Sequence, residues 1–206
     1  MDYSNYNKHF NDKGINNFER DGAMDDQIWN NQTIKILFIL KETYGYQNCN
    51  TFDLNTEVKF WLEKNNQTYT KISNLSLLLH KVFDKKRLLT NEEYKIIKPS
   101  IDDKFNAIKK CAIINLKKTS GNKKSNNNQI IRNFLDNISI LKEQINNLKP
   151  NIVIAGSTVC WNCLSDKKIG LFKNEIGDNV LNKHQCNFFN GIVFYHANHP
   201  SSWGYG

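Results

Sequence analysis

Three prolines, two methionines and no long apolar run set the first limits on this chain. The longest uninterrupted apolar stretch, ILFIL at 36–40, falls far short of the roughly 20 residues that a bilayer-spanning helix needs. The opening residues MDYSNYNKHF carry no apolar segment of a secretory signal. These absences lead to the expectation of a soluble, cytoplasmic protein. Acidic residues are in deficit, 20 against 28 basic ones, and the formal net charge is +8. Such a surplus favours encounter with polyanions, nucleic acid above all. Five cysteines, an odd number in a chain without a secretory signal, do not read as a disulfide framework. Apolar residues make up 39% of the 206 residues, and 12% of the chain is aromatic, enough for one domain with a sizeable core.

Because proline is scarce, each one punctuates the chain. Pro99 closes a short helix whose start is marked by Thr90 and Glu93, a capping-box pair. Pro150 ends an amphipathic pattern of Ile131, Phe134, Leu135, Ile138, Leu141, Ile145 and Leu148, which predicts one long helix. Pro200 follows the last apolar run. Four runs predict strands buried on both faces: 34–40, 111–115, 151–155 and 191–197. Helical spacing lies between them: Leu54, Val58, Trp61 and Leu62; then Ile72, Leu75, Leu78, Leu79, Val82 and Phe83; then a helix capped by Ser100. Asn190-Gly191, between QCNFF and GIVFYHA, predicts a hairpin. Residues 1–32 are polar and predict an arm or extension that docks on the domain or stays partly disordered; 33–206 form the domain itself. Strands alternating with helices predict a three-layer α/β/α sandwich around a central, mainly parallel, four-stranded sheet. Ligands of such sheets bind outside the carboxyl ends of the strands. Those ends carry KETYG, NLKKTSGNKK, GST and NHPSS.

In this order, these segments resemble the uracil-DNA glycosylase superfamily. Lys41-Glu42-Thr43-Tyr44-Gly45 stands where the family has Gly-Glu-Ala-Pro-Gly or a near variant. Asn115, followed by a basic loop, matches the end of the family's next core strand. LKPNIVIAGSTVC (148–160) is similar to the family's helix, strand and helix-opening turn, and His199-Pro200-Ser201 matches its His-Pro-Ser motif. The resemblance covers about residues 33–203. It implies a uracil-DNA-glycosylase-like fold and hydrolysis of the N-glycosidic bond of a uracil-like or modified base that has left the DNA stack. It implies Glu42, Asn115 and His199 as the catalytic set, with Gly45, Phe52 and Asn115 around the base. Lys117, Lys118, Lys123, Lys124, Gly156, Ser157, Ser201 and Ser202 would then meet the DNA backbone.

Breaking that bond builds positive charge on the sugar and negative charge on the base. A carboxylate or amide can steady the sugar and place water, and a histidine can donate to a base oxygen. Each residue also has a plainer reading. Glu42 can be a solvated loop acid, Asn115 a buried strand cap, Phe52 a core residue, Ser157 an ordinary helix cap and the lysines a solvated loop. His196, within the last strand, is expected on the other face from His199. Cys160, Cys163, His184 and Cys186 have zinc-like ligand types, but Cys160 and Cys163 flank Trp161 at helical spacing and read as small packed hydrophobes. The cysteines do not fall at the spacings of the family's iron–sulfur branches. No metal and no cofactor are expected, and the protein is read as a monomer acting on single- or double-stranded DNA. Lys41 and Tyr44 replace the family's first Gly and its Pro, which keeps open a nucleic-acid-binding module without catalysis; a hydrolase of free nucleosides or nucleotides on the same scaffold is a separate alternative.

Overall fold

A computed structural model describes residues 4–43, 51–121, 124–166, 168–172, 186–189 and 191–202. The N-terminal segment folds as α1 (Ser4–Asp12), β1 (Phe18–Arg20), β2 (Gly22–Ala23) and α2 (Asp26–Asn30). Then come β3 (Ile36–Leu40), β4 (Thr51–Asp53), α3 (Leu54–Glu63), α4 (Gln67–Lys85), α5 (Asn91–Ile96), α6 (Ile101–Lys109) and β5 (Cys111–Asn115). The chain continues through α7 (Asn127–Asp136), α8 (Ile138–Leu148), β6 (Ile152–Ala155), α9 (Thr158–Ser165), β7 (Cys186–Phe189) and β8 (Ile192–His196), and then a 3-10 turn, Pro200–Ser202. Among the described residues, no helix is long and apolar enough to cross a membrane.

The main sheet has six strands in the order β2-β5-β3-β6-β8-β7. The four central strands are mutually parallel, as their unbroken apolar sequences predict. The expected count of four is corrected by two antiparallel edge strands. β7 is the first arm of the predicted hairpin, with Gly191 at φ +77°, a conformation that glycine adopts without strain. β2 comes from the N-terminal segment, whose two-residue strand has no periodicity to read.

Alternation along β3 feeds two cores. Leu37 and Ile39 join residues of α7, α8 and α9 on one face, and Ile36, Phe38 and Leu40 join residues of α3, α4 and α6 on the other. The single long helix expected before Pro150 is instead two, broken at Asn137. The Asn137 carboxamide donates to the Asn133 carbonyl at 2.8 Å, and its Oδ1 accepts from His9 at 2.9 Å and Lys13 at 3.3 Å, both from α1 or just beyond it. A polar side chain that bonds its own helix backbone competes with the helix ladder, and the α1 contacts hold it there.

Candidate functional site

The parallel strands end together at one edge of the sheet, and Gly156 sets how closely. A Cβ on Gly156 would lie 2.9 Å from Leu40 Cδ2, 3.2 Å from Pro200 Cδ and 3.3 Å from the Ile39 carbonyl oxygen. Only a residue without a side chain lets the end of β3 and the turn after β8 meet across β6. The Pro200–Ser202 turn also packs on α4, and Pro200 is buried. His199, Ser201 and Ser202 thus stand on a braced turn at the carboxyl edge.

Within that turn the ring of His199 is oriented. The Ser201 backbone N–H donates to Nδ1 at 3.3 Å, and the Ser201 hydroxyl lies 2.8 Å from the same nitrogen. An Nδ1 that accepts carries no proton in the neutral ring, so the proton sits on Nε2. Nε2 meets no hydrogen-bond partner among the described residues. Ser202 closes the turn by donating its hydroxyl and backbone N–H to the His199 carbonyl at 2.7 and 2.8 Å. Burial lowers the His199 pKa to about 4, and the positive charge of Lys41 adds to the effect, so the ring is neutral at physiological pH.

The Lys41 charge also acts on Cys160 in the first turn of α9. The Lys41 charge thus acts on both the His199 ring and the first turn of α9, and no ion pair of Lys41 is found among the described residues. Ser157 caps α9, its hydroxyl accepting the Cys160 N–H at 3.1 Å. His196 is buried on the other side of the strand, its ring stacked on Trp161 with centroids 5.6 Å apart.

Glu42 is not a solvated loop acid. Its side chain is 4% exposed, and Lys117 donates to its Oε2 at 2.7 Å and to the Ser120 carbonyl at 2.8 Å. Gly121 closes over it, since a Cβ there would fall 2.2 Å from Glu42 Cδ. Glu42 Oε1 has no hydrogen-bond partner among the described residues.

Beneath this edge lies a buried polar network to which the N-terminal segment contributes Glu19 and Asp21. Lys118 donates to both Asp21 oxygens, at 2.6 and 2.8 Å, and neither side chain is exposed at all. The expectation that Lys118 meets a DNA phosphate is corrected: its ammonium is fully consumed inside the fold. Lys117 is likewise held by Glu42, which leaves Lys124 as the exposed described lysine of that loop. The Asn115 backbone N–H donates to Asp21 Oδ2 at 2.6 Å. Gln144 donates to the Asp21 carboxylate at 3.1 Å and to its carbonyl at 3.2 Å. Asn115 donates from Nδ2 to Glu19 Oε1 at 2.8 Å and to Thr43 Oγ1 at 3.0 Å. The Thr43 hydroxyl donates to the same Glu19 oxygen at 2.8 Å and is itself hydrogen-bonded to Tyr69. Burial raises the Glu19 pKa to about 8, and the nearby Asp21 charge reinforces the shift against the opposing pull of Lys118.

Phe52 is buried in the core cluster with Leu54 and Leu40, as its plainer reading has it. Gly45, Lys123 and Tyr44 lie outside the described residues, as does His184. Cys160 and Cys163 are buried, and burial pushes both thiols up to about 12. Among the described residues no cluster of His, Cys, Asp or Glu can hold a metal ion. Sequence reasoning missed Glu19, Asp21, Thr43, Tyr69 and Gln144. The one available signal was Glu19 and Asp21 at alternate positions of FERDG, one face of a short extended segment. Comparison with protein-family models, curated proteins and solved structures finds no match to this chain.

Proposed function

We propose that this protein is a cytoplasmic, monomeric, monofunctional DNA glycosylase of the uracil-DNA glycosylase type, hydrolysing the N-glycosidic bond of a flipped, uracil-like base. The observation that carries this reading is His199: a neutral ring with Nδ1 engaged by its own turn and an Nε2–H without a partner among the described residues. As the bond to the sugar breaks, charge builds on a base oxygen, and a fixed neutral donor stabilises it without a proton having to move. Lys41 adds positive charge beside the same ring. Glu42, tethered through Oε2, keeps Oε1 as an acceptor for the attacking water or as an anion facing the sugar cation.

The full-length protein incubated with oligonucleotides carrying uracil, hypoxanthine, xanthine or 5-hydroxymethyluracil tests this reading. Abasic product from one of these supports it, and none from all four counts against it. A second reading, a nucleic-acid-binding module without catalysis, is favoured by Asn115, which is 1% exposed and has its amide hydrogens taken by Glu19 and Thr43. DNA binding without base release, unchanged in the Glu42→Ala/His199→Ala double variant, would select that reading.

A further inference from the structure

We propose that the outer face of α4 and α5 is a docking site for an acidic segment of another protein, which anchors itself there with one tryptophan. None of the residues that line the site belongs to the His199 turn or to the surroundings of Glu42, so the proposal stands independently of the glycosylase reading.

α4 spends Ile72, Ser73, Ser76 and His80 on the interior, where all four are buried. Leu77 and Leu78 are only half-buried and belong to neither core cluster that flanks the sheet. α5 does not cover them fully and buries no residue of its own. Leu88, just before α5, is 81% exposed, and Ile96, its last residue, is 77% exposed, more than any other large apolar side chain among the described residues. Polar contacts, not apolar burial, hold α5 in place. Glu93 accepts from Arg87 Nη1 and Nη2 at 2.8 Å, from Lys85, and from the Thr90 backbone N–H at 2.9 Å. The apolar face is therefore built into the fold, and an exposed apolar face with a polar rim marks an interaction site.

Between the two helices lies a cavity of about 220 Å³, lined by Asn74, Leu77, Leu78, Tyr94, Ile97 and Pro99. Small-molecule sites run to roughly 300–1,000 Å³, so this one suits a single large side chain instead. Asn74 Oδ1 is buried and has no hydrogen-bond partner among the described residues. A buried acceptor left unmatched is costly, and an incoming N–H relieves the cost. Tryptophan joins a large apolar body to one N–H and is among the residues that anchor interfaces. Charge selects the rest of the partner. Residues 74–99 carry six Lys and Arg against three Asp and Glu, and Glu93 is already held by Lys85 and Arg87. Lys95, at the cavity, and Lys98 are exposed, and neither forms an ion pair among the described residues. An acidic segment matches them, whereas a second copy of this chain sets lysine against lysine. An anionic bilayer matches the charge, but an acyl chain brings no donor for Asn74.

The test uses the full chain. Nuclear magnetic resonance with 3-methylindole, the tryptophan side chain alone, probes the cavity. Shifts are expected at Asn74, Leu77 and Leu78 with a dissociation constant on the order of 1 mM. 1,3-Dimethylindole, which has no N–H, should bind about fivefold more weakly, and Asn74→Leu should remove that difference. A labelled peptide of Glu and Leu with one central Trp probes the whole face by fluorescence anisotropy. Exchanging its Glu for Lys, or introducing Lys95→Glu/Lys98→Glu into the protein, should each weaken binding on the order of tenfold. Both lysines are exposed, and an unchanged melting temperature confirms that the double variant folds. Absence of shifts at the cavity, equal binding of the two indoles, or no binding of the acidic peptide up to about 1 mM overturns the proposal. Binding indifferent to the charge of the peptide overturns it as well. Self-association, or binding to phosphatidylserine vesicles, that Ile96→Lys abolishes while the peptide stays unbound gives the face to a second copy or to a membrane and also overturns it. Failure of base release removes the glycosylase reading and leaves these outcomes as they are.

Discussion

The Ser201 backbone N–H donates to His199 Nδ1 at 3.3 Å, two residues apart on a turn that Pro200 anchors in the core. An N–H aimed at Nδ1 favours the tautomer of His199 with its proton on Nε2. The neutral ring should appear as the Nε2–H tautomer in nitrogen-15 spectra, titrating well below a free histidine, at about 4. The folded state resists charging, so the contribution of His199 to stability is complete above about pH 6.5 and is lost as pH falls toward about 4. An ordinary titration near 6.5 or the other tautomer would contradict the assignment.

Asp21 and Lys118 form an ion pair with no solvent exposure on either side. Replacing Asp21 alone, as Asp21→Leu, strands an ammonium in the interior and should cost on the order of 3–5 kcal/mol in chemical denaturation. The double variant Asp21→Leu/Lys118→Met removes both charges and should recover much of that loss. A single substitution costing no more than about 1 kcal/mol, as an exposed pair would, contradicts the burial.

Glu19 gives the stability a distinctive pH dependence. Its proton is bound more tightly in the folded state than in the unfolded chain, so its contribution is greatest at or below about pH 4.5 and is lost as pH rises to about 8. The charged groups that face it are Asp21, which strengthens the shift, and Lys118, which opposes it. Denaturation across that range should show a decline in the wild type that Glu19→Gln lessens. Parallel curves for the two proteins would contradict the raised pKa.

Gly156→Ala should push Leu40 and Pro200 apart, because the new Cβ has 2.9 and 3.2 Å where it needs more. A loss of about 1–3 kcal/mol is expected from overpacking of this kind. Base release should slow as well, since the displaced residue carries the His199 turn. Wild-type stability in this variant would show that the junction yields.

The central strands were legible because strands buried on both faces leave continuous apolar runs, as in Ile36–Leu40 and Cys111–Asn115. The caps at Thr90 and Ser100 were legible because a capping box is a local pattern, and both form as read. The His199 turn was legible through Pro200. The fate of Lys118 was not. Its burial depends on Asp21, which is 97 residues distant in sequence, and nothing beside Lys118 announces that partner. Asn115 and Glu19 are separated by 96 residues for the same reason, and the break at Asn137 is held by contacts from α1 that local periodicity cannot contain.

The measurement that tests the central claim most directly is single-turnover base release from a uracil-containing oligonucleotide by the wild type, His199→Ala and His196→Ala. The account predicts base release by the wild type and a rate on the order of 10²-fold lower in His199→Ala, as for loss of one fixed donor, with DNA affinity within a few-fold of wild type. His196, stacked on Trp161, should cost stability rather than rate when replaced. No release by the wild type, an unchanged rate in His199→Ala, or a rate that depends on His196 instead would contradict the account.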